Sequence, residues 1–275
     1  TDGDCEDSYT LTRTWTATDN CGNATTLSQT ITVIDTTAPE LTIPADETVE
    51  CDSVPSVGDA SATDNCDGDV DIKYDGEVRT DGDCEDSYTL TRTWTATDNC
   101  GNETKSSQTI TVIDTTAPVI TVPADEAADC AAVPEPGTAT GVDNCDADVE
   151  IRYDGEVRTD GDCPGNYTLV RTWTAIDNCG NESSDSQTIT VTDTTAPVQI
   201  GEIPESVNEI NGCQDDYMDA PLTEEEFALL FADDCSNVVV SLFSSPVGDD
   251  CGWSVIHIYT VSDDCGNVTG DFKVY

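Results

Sequence analysis

Acidic side chains recur at fixed places along this chain. The stretch "DNCDGDVD" holds Asp64, Asp67, Asp69 and Asp71, and "DNCDADVE" holds Asp143, Asp146, Asp148 and Glu150. Two carboxylates about 4 Å apart repel by roughly 4 kcal/mol at an effective dielectric of about 20, so such sets persist only if exposed, protonated or bound to cations. Donors that are all oxygen suit calcium, which takes about six to eight of them. Neither stretch is an EF-hand, because the downstream glutamate and the loop length are missing. The second set able to do chemistry is 14 cysteines. Twelve stand at matching offsets: Cys51, Cys66, Cys84 and Cys100; Cys130, Cys145, Cys163 and Cys179; Cys213, Cys235, Cys251 and Cys265, with Cys5 and Cys21 ahead of them. With no CxxC pair and a single histidine, structural disulfides explain them better than zinc, and they place the chain outside a reducing cytosol.

Against 57 Asp and Glu stand 9 Lys and Arg, a formal charge of -48. Nucleic acid and direct membrane contact are excluded as partners, since both require a basic footprint. Catalysis is not expected either. Paired carboxylates are abundant, but nothing singles one pair out, and there is no nucleophile motif, phosphate loop or zinc site. His257, within "WSVIHIYTV", alternates with core-type residues and reads as structural. The chain begins in the middle of a repeat and reads as a window cut from something longer, so its lack of a signal peptide or apolar span carries no message about targeting.

The elements that must position these groups repeat too. Cys21, Cys100 and Cys179 are 79 residues apart, as are Asp35, Asp114 and Asp193 in the phrase "DTTAP". That period exceeds the roughly 20 to 50 residues of solenoids and propellers and equals a small domain. The expected organisation is the second half of a repeat in 1–35, whole repeats in 36–114 and 115–193, and a divergent one in 194–275. From Tyr88 onward, Tyr88, Leu90, Arg92, Trp94 and Ala96 alternate with Thr89, Thr91, Thr93, Thr95 and Thr97. Period two predicts a half-buried strand with its aromatic side inward and threonine toward water. "QTITVID" behaves alike, putting Ile110 and Val112 on one side. A regular threonine row also suits ice binding, but a solvated antiparallel face is the plainer reading. Arg92 on the inner side is expected to stack on Trp94 or to pair with a carboxylate. Short strands with Pro and Gly between them, in units near 80 residues, give an all-β fold of tandem immunoglobulin-like sandwiches.

In that fold the second and sixth strands face each other and run the same way, which suggests pairs within each repeat: Cys51 with Cys84, Cys66 with Cys100, Cys130 with Cys163, Cys145 with Cys179, Cys213 with Cys251, and Cys235 with Cys265. Cys5 and Cys21 are left without partners. The last strand exits at one end while the loops after the second and sixth strands crown the other, so each linker should meet the next repeat's crown. Asp35 would meet Asp64 and Asp98, Asp114 would meet Asp143 and Asp177, and Asp193 would meet Asp233 and Asp263. Calcium at these joints is the expected cofactor; solvated turn residues are the bland alternative. In the divergent repeat, Thr223 and Glu226 form a capping-box signature, and Phe227, Leu230 and Phe231 give one apolar face, predicting a short helix.

The words "DTTAP", "ATDNC" and "WTATDNCGN" resemble hyalin-repeat (HYR-like) immunoglobulin-fold modules, especially the tandem copies in surface adhesins and gliding-motility proteins of Bacteroidota-type bacteria. The resemblance implies an extracellular, cell-surface or secreted spacer or adhesive stalk, whose partners are other repeats of one long chain. It also implies O-glycan acceptors at Thr36, Thr115 and Thr194. Asn23, Asn102, Asn166, Asn181 and Asn267 lie in Asn-X-Ser/Thr sequons. Three functions are weighed: a disulfide-locked, calcium-stiffened stalk or filament; an adhesin that binds surface glycans through the last repeat; and a fibre self-assembled with identical filaments by strand complementation.

Overall fold

The structure is a computed structural model that describes residues 1–3, 5–203, 222–249 and 252–274. It is almost entirely strand, as the alternation of inward and outward residues requires. In the repeat 36–114 the strands are β3 (Glu40–Thr42), β4 (Glu47–Glu50), β5 (Ser61–Thr63), β6 (Asp71–Asp81), β7 (Tyr88–Thr97) and β8 (Glu103–Ile113). One sheet has the order β4-β8-β7-β6 and the other is the pair β3-β5. The central strands are antiparallel, Leu90 lying opposite Ile110 and Tyr88 opposite Val112, and β4 adds parallel to β8. Leu90, Ile110 and Val112 are buried and packed by Val49, Val54 and Tyr88. At the β6–β7 register shift stands Gly76, with φ of 122°, a conformation that L side chains rarely adopt.

Inward polar residues on β7 and β8 are fully paired. The Arg92 guanidinium donates to Glu77 at 2.7 Å and to the carbonyls of Pro55 and Ser56 at 2.8 and 3.1 Å. Gln108 donates to the Ala45 carbonyl at 2.7 Å. The threonine face is largely half-buried rather than open. Thr95 is buried outright, its hydroxyl donating to Asp75.

Residues 115–193 reproduce this pattern with β9 (Val119–Thr121), β10 (Glu126–Asp129), β11 (Thr140–Val142), β12 (Glu150–Asp160), β13 (Tyr167–Ile176) and β14 (Glu182–Thr192), in the orders β10-β14-β13-β12 and β11-β9. In the last repeat β15 (Val198–Gln199) pairs with β16 (Phe231–Ala232), and β17 (Val238–Asp249), β18 (Gly252–Asp263) and β19 (Val268–Val274) form one sheet. The expected helix is α1 (Glu224–Ala228), with the Thr223–Glu226 capping box formed. Phe227 stacks on Tyr259 with ring centroids 3.8 Å apart, beside Phe231 and Phe272. Tyr259 stands where the other repeats have Trp94 and Trp173, and its hydroxyl donates to the Leu222 carbonyl at 2.7 Å. His257 is buried and shares a 2.8 Å hydrogen bond with Ser244.

Residues 1–35 form one hairpin, β1 (Tyr9–Thr18) with β2 (Ala24–Val33). Trp15 is 56% exposed there, whereas its equivalent Trp94 is 3% exposed. By its contacts the chain divides into two compact units, 1–118 with 142–149 and 176–182, and 119–141 with 150–175 and 183–275. Among the described residues no helix is long and apolar enough to cross a membrane.

Candidate functional site at the joints between repeats

Strand direction decides which groups gather at each end of a repeat. In 36–114, β4 runs parallel to β8 and delivers Cys51 beside Ile113, the residue before linker Asp114. The β6–β7 loop with Cys84 lies at that same exit end, since Tyr88 pairs with Val112. The β5–β6 loop with Cys66 and the β7–β8 turn with Cys100 lie at the opposite, entrance end, where Asp71 pairs with Thr97 and Thr97 with Glu103.

The disulfides join the exit end of one repeat to the entrance end of the next. Cys5 bonds Cys100, Cys51 bonds Cys145, Cys84 bonds Cys179, Cys130 bonds Cys235 and Cys163 bonds Cys265. Their Cα–Cα distances, 4.9 to 6.1 Å, are those of ordinary disulfides. This corrects the expected pairing within repeats for Cys51 with Cys84, Cys66 with Cys100, Cys130 with Cys163, Cys145 with Cys179 and Cys235 with Cys265. Each expected pair does share one end of its repeat, but the short linker presses that end against the next repeat, whose cysteines face it. Cys5 accordingly has a partner, while Cys21 and Cys66 are exposed and carry no disulfide. The expected Cys213–Cys251 pair lies outside the described residues.

The same joints collect carboxylates. Donor oxygens of Asp114, Asp143 and Asp177 lie within 4.8 Å of one another. Asp143 Oδ1 accepts from the amides of Cys145 and Asp146, at 2.8 and 3.0 Å. Asp177 accepts from the Cys179 and Asn181 amides through Oδ1 and from the Asn181 side chain through Oδ2. Asp114 Oδ1 accepts from Thr116 at 3.1 Å. What remains is Asp114 Oδ2 and Asp143 Oδ2, both buried without a hydrogen-bond partner. Asp114 is 6% exposed. Its burial, and the charges of Asp143, Asp177 and Asp86, push its carboxyl above the ordinary value.

The first joint repeats this arrangement. Ligand atoms of Asp35, Asp64 and Cys66 fall within 4.8 Å of one another, and Asp35 Oδ2 and Asp64 Oδ2 are the buried oxygens left without partners. Asp64 is held below the usual carboxylate range by the amides of Asp67 and Cys66, although the charge of nearby Asp98 opposes this. Burial raises Asp98, but its hydrogen bonds from Asn102, Cys100 and Gly101 outweigh that. Asp67 and Asp146 brace the crowns, accepting from the amides of Asn99 and Asn178 at 2.9 and 3.0 Å. Asp69, Asp71 and Asp148 are exposed and are not drawn into either group.

The third joint differs by one residue. Ser236 stands where the others have Asp67 and Asp146, and its hydroxyl donates to Asp193 Oδ2 at 2.7 Å. Asp233 receives the Cys235 and Ser236 amides, and Asp193 lies within 4.8 Å of Asp263 and the bonded sulfur of Cys265. No Asp193 or Asp233 oxygen is among the buried unpartnered atoms.

These donor sets fit calcium. They offer carboxylates, contain no histidine, and their bridged sulfurs are not thiolate ligands. Among the described residues the ion pairs, such as Lys73 with Asp75 and Arg171 with Glu156, leave the joint aspartates aside. The sequence alone did not disclose the polar contacts that cross each joint, Asp7 with Asn99 and Asp86 with Asn178. Four of the sequon asparagines serve the turns and joints: Asn23, Asn102, Asn181 and Asn267 donate to Asp19, Asp98, Asp177 and Asp263, and the last three also donate to the linker carbonyls of Asp35, Asp114 and Asp193. Asn166 accepts from the Asp193 amide at 2.9 Å. Thr36, Thr115 and Thr194 are exposed; Thr115 donates to Glu50 and Thr194 to Asp129.

No curated protein sequence matches the chain. Among solved structures, mouse protocadherin-24 EC1-3 is similar at 14% identity and TM-score 0.29, covering 67% of this chain and 80% of its own. Drosophila N-cadherin EC1-4 is similar at 18% identity and TM-score 0.29, covering 98% and 83%. Human CDH23 EC21-23 is similar at 15% identity and TM-score 0.32, covering 86% and 99%. Likenesses this weak carry no functional argument. Residues 39–112, the repeat whose two ends have just been described, match the family of the HYR-like domain with 4 cysteines.

Proposed function

We propose that this chain is an extracellular structural or adhesive segment in which each 79-residue repeat is a module welded to its neighbours by disulfides and ordered at its joints by calcium. The observation that carries this reading is the pairing of exit-end with entrance-end cysteines, two bonds at the second joint and two at the third. A catalytic domain has no use for bonds that all span joints; a stalk does. Calcium supplies positive charge to the buried oxygens left over at the first two joints. Asp35, Asp64 and Asp98 would hold it at the first, and Asp114, Asp143 and Asp177 at the second. At the third, the Ser236 hydroxyl already satisfies Asp193.

Calorimetry on the oxidised protein is expected to give two calcium sites, with chelation lowering the melting temperature. The S236D variant is expected to add a third. Absence of binding overturns the calcium reading, and three sites in the unaltered protein overturn the distinction between joints. Exposed Thr36, Thr115 and Thr194 are the glycan acceptors of this proposal, checked by intact mass before and after deglycosylation.

A second reading has one observation behind it. The β1–β2 hairpin exposes Trp15, which a complementing half-repeat from a preceding segment or another copy would cover. Sedimentation at increasing concentration distinguishes the copy from the segment.

A further inference from the structure

We propose that the disulfides form a load-bearing covalent relay that makes the chain nearly inextensible under tension, a property that ordered joints alone would not provide. The relay follows from connectivity. Cys5 is bonded to Cys100, Cys84 to Cys179 and Cys163 to Cys265. Cys84 and Cys100 bracket β7, and Cys163 and Cys179 bracket β13. A pull entering at Cys5 crosses to Cys100, runs back along β7 to Cys84, crosses to Cys179, runs back along β13 to Cys163 and leaves at Cys265. About 32 residues therefore carry the load between points about 260 residues apart in sequence, roughly 110 Å of taut chain instead of roughly 900 Å at about 3.5 Å per residue.

Most of that path is already stretched. Tyr88–Thr97 and Tyr167–Ile176 are strands of 10 residues each. At about 3.3 Å rise per residue a strand has almost no slack to release. These are also inner strands of their sheets, with Leu90, Trp94, Leu169 and Trp173 buried on them. A second path runs in parallel through residues 130–145, which lie between the Cys51–Cys145 and Cys130–Cys235 bonds. Everything else in a repeat hangs from the relay, so breaking its hydrogen bonds would free no length.

The test is single-molecule pulling of the oxidised protein through its two termini. The expected extension stops at about 160 Å including the terminal residues, with no step of about 280 Å, the length of a 79-residue repeat. Reductant is expected to restore those steps and lengthen the molecule several-fold. In a C84A, C179A double variant the shortest path becomes the chain from Cys100 to Cys163, about 63 residues, so the limit is expected to double roughly without reductant. A C21A, C66A variant is expected to leave it unchanged. Repeat-sized steps in the oxidised protein, or an unaltered limit in the C84A, C179A variant, would overturn the relay. The limit is set by covalent bonds and should be the same in calcium and in chelator, so failure of the calcium reading would leave this inference standing.

Discussion

If the second joint is bridged twice, cutting the linker should not separate its two sides. The perturbation is a protease site replacing residues 115–117, cleaved in the folded, oxidised protein. Only the Cys51–Cys145 and Cys84–Cys179 bonds cross that point, since Cys5–Cys100 lies wholly before it and the remaining pairs wholly after it. The substitution also removes the Thr115 hydrogen bond to Glu50, a loss of about 1 kcal/mol. The bonds weigh far more. They close loops with sequence separations of 94 and 95. In the chain-entropy treatment the first is worth about 4.7 kcal/mol; the second closes a loop of about 67 residues through the first and adds about 4.4 kcal/mol. Together they rival the whole stability of a small domain, roughly 5 to 15 kcal/mol.

The assay is electrophoresis with and without reductant. The cleaved protein is expected to migrate as one species until reduced and then as two fragments. In the uncleaved protein, a C84A, C179A variant is expected to lower the urea midpoint by about 2 M, taking an m-value of about 2 kcal/mol/M. Fragments that part without reductant, or peptide mapping that links Cys51 to Cys84, would refute the assignment of bonds to joints.

Three further outcomes follow from local geometry. Burial holds His257 below its ordinary value of 6.5, so the unfolded chain gains protons that the folded one does not as pH falls. Stability of the last repeat should therefore be level above that value and decline below it, and H257Q should flatten the profile in pH-dependent melts. Y259F deletes the hydroxyl contact with Leu222 and should cost about 1 to 2 kcal/mol by denaturant titration. Gly165 has no room for a side chain, since an added Cβ would stand 2.6 Å from that of Asp193; G165A should lower the melting temperature and accelerate amide exchange at residues 193–195.

The strands and their inner residues were legible because period two is a local signal. Thr95 escaped it, since its burial depends on Asp75 across the sheet. The approach of linker Asp114 to the crown was legible from strand direction alone. The cysteine partners were not, for a physical reason. Each repeat translates the same four cysteines by 79 residues, so a partner in the same repeat and a partner in the next stand in the same local words and at the same ends. Only the closeness of consecutive repeats chooses between them, and separations of 94 to 105 residues leave no trace in spacing. Ser236 was visible as a departure from Asp67 and Asp146, but its meaning required Asp193 Oδ2 to be seen 2.7 Å away.

Covalent and ionic interactions at a joint answer different problems. Two carboxylate oxygens up to 4.8 Å apart repel by about 3 to 4 kcal/mol at an effective dielectric of about 20. A joint held only by packing would open under that load, but a bridged joint can only loosen. Removing calcium should therefore leave connectivity intact and change local order. Hydrogen exchange is expected to rise on chelation at 143–146 and 177–181, and at 64–67 and 98–102, while residues 233–236, capped by a serine hydroxyl, stay as protected as before. Equal deprotection at all three joints would show that the oxygens left without partners do not mark where the ion acts.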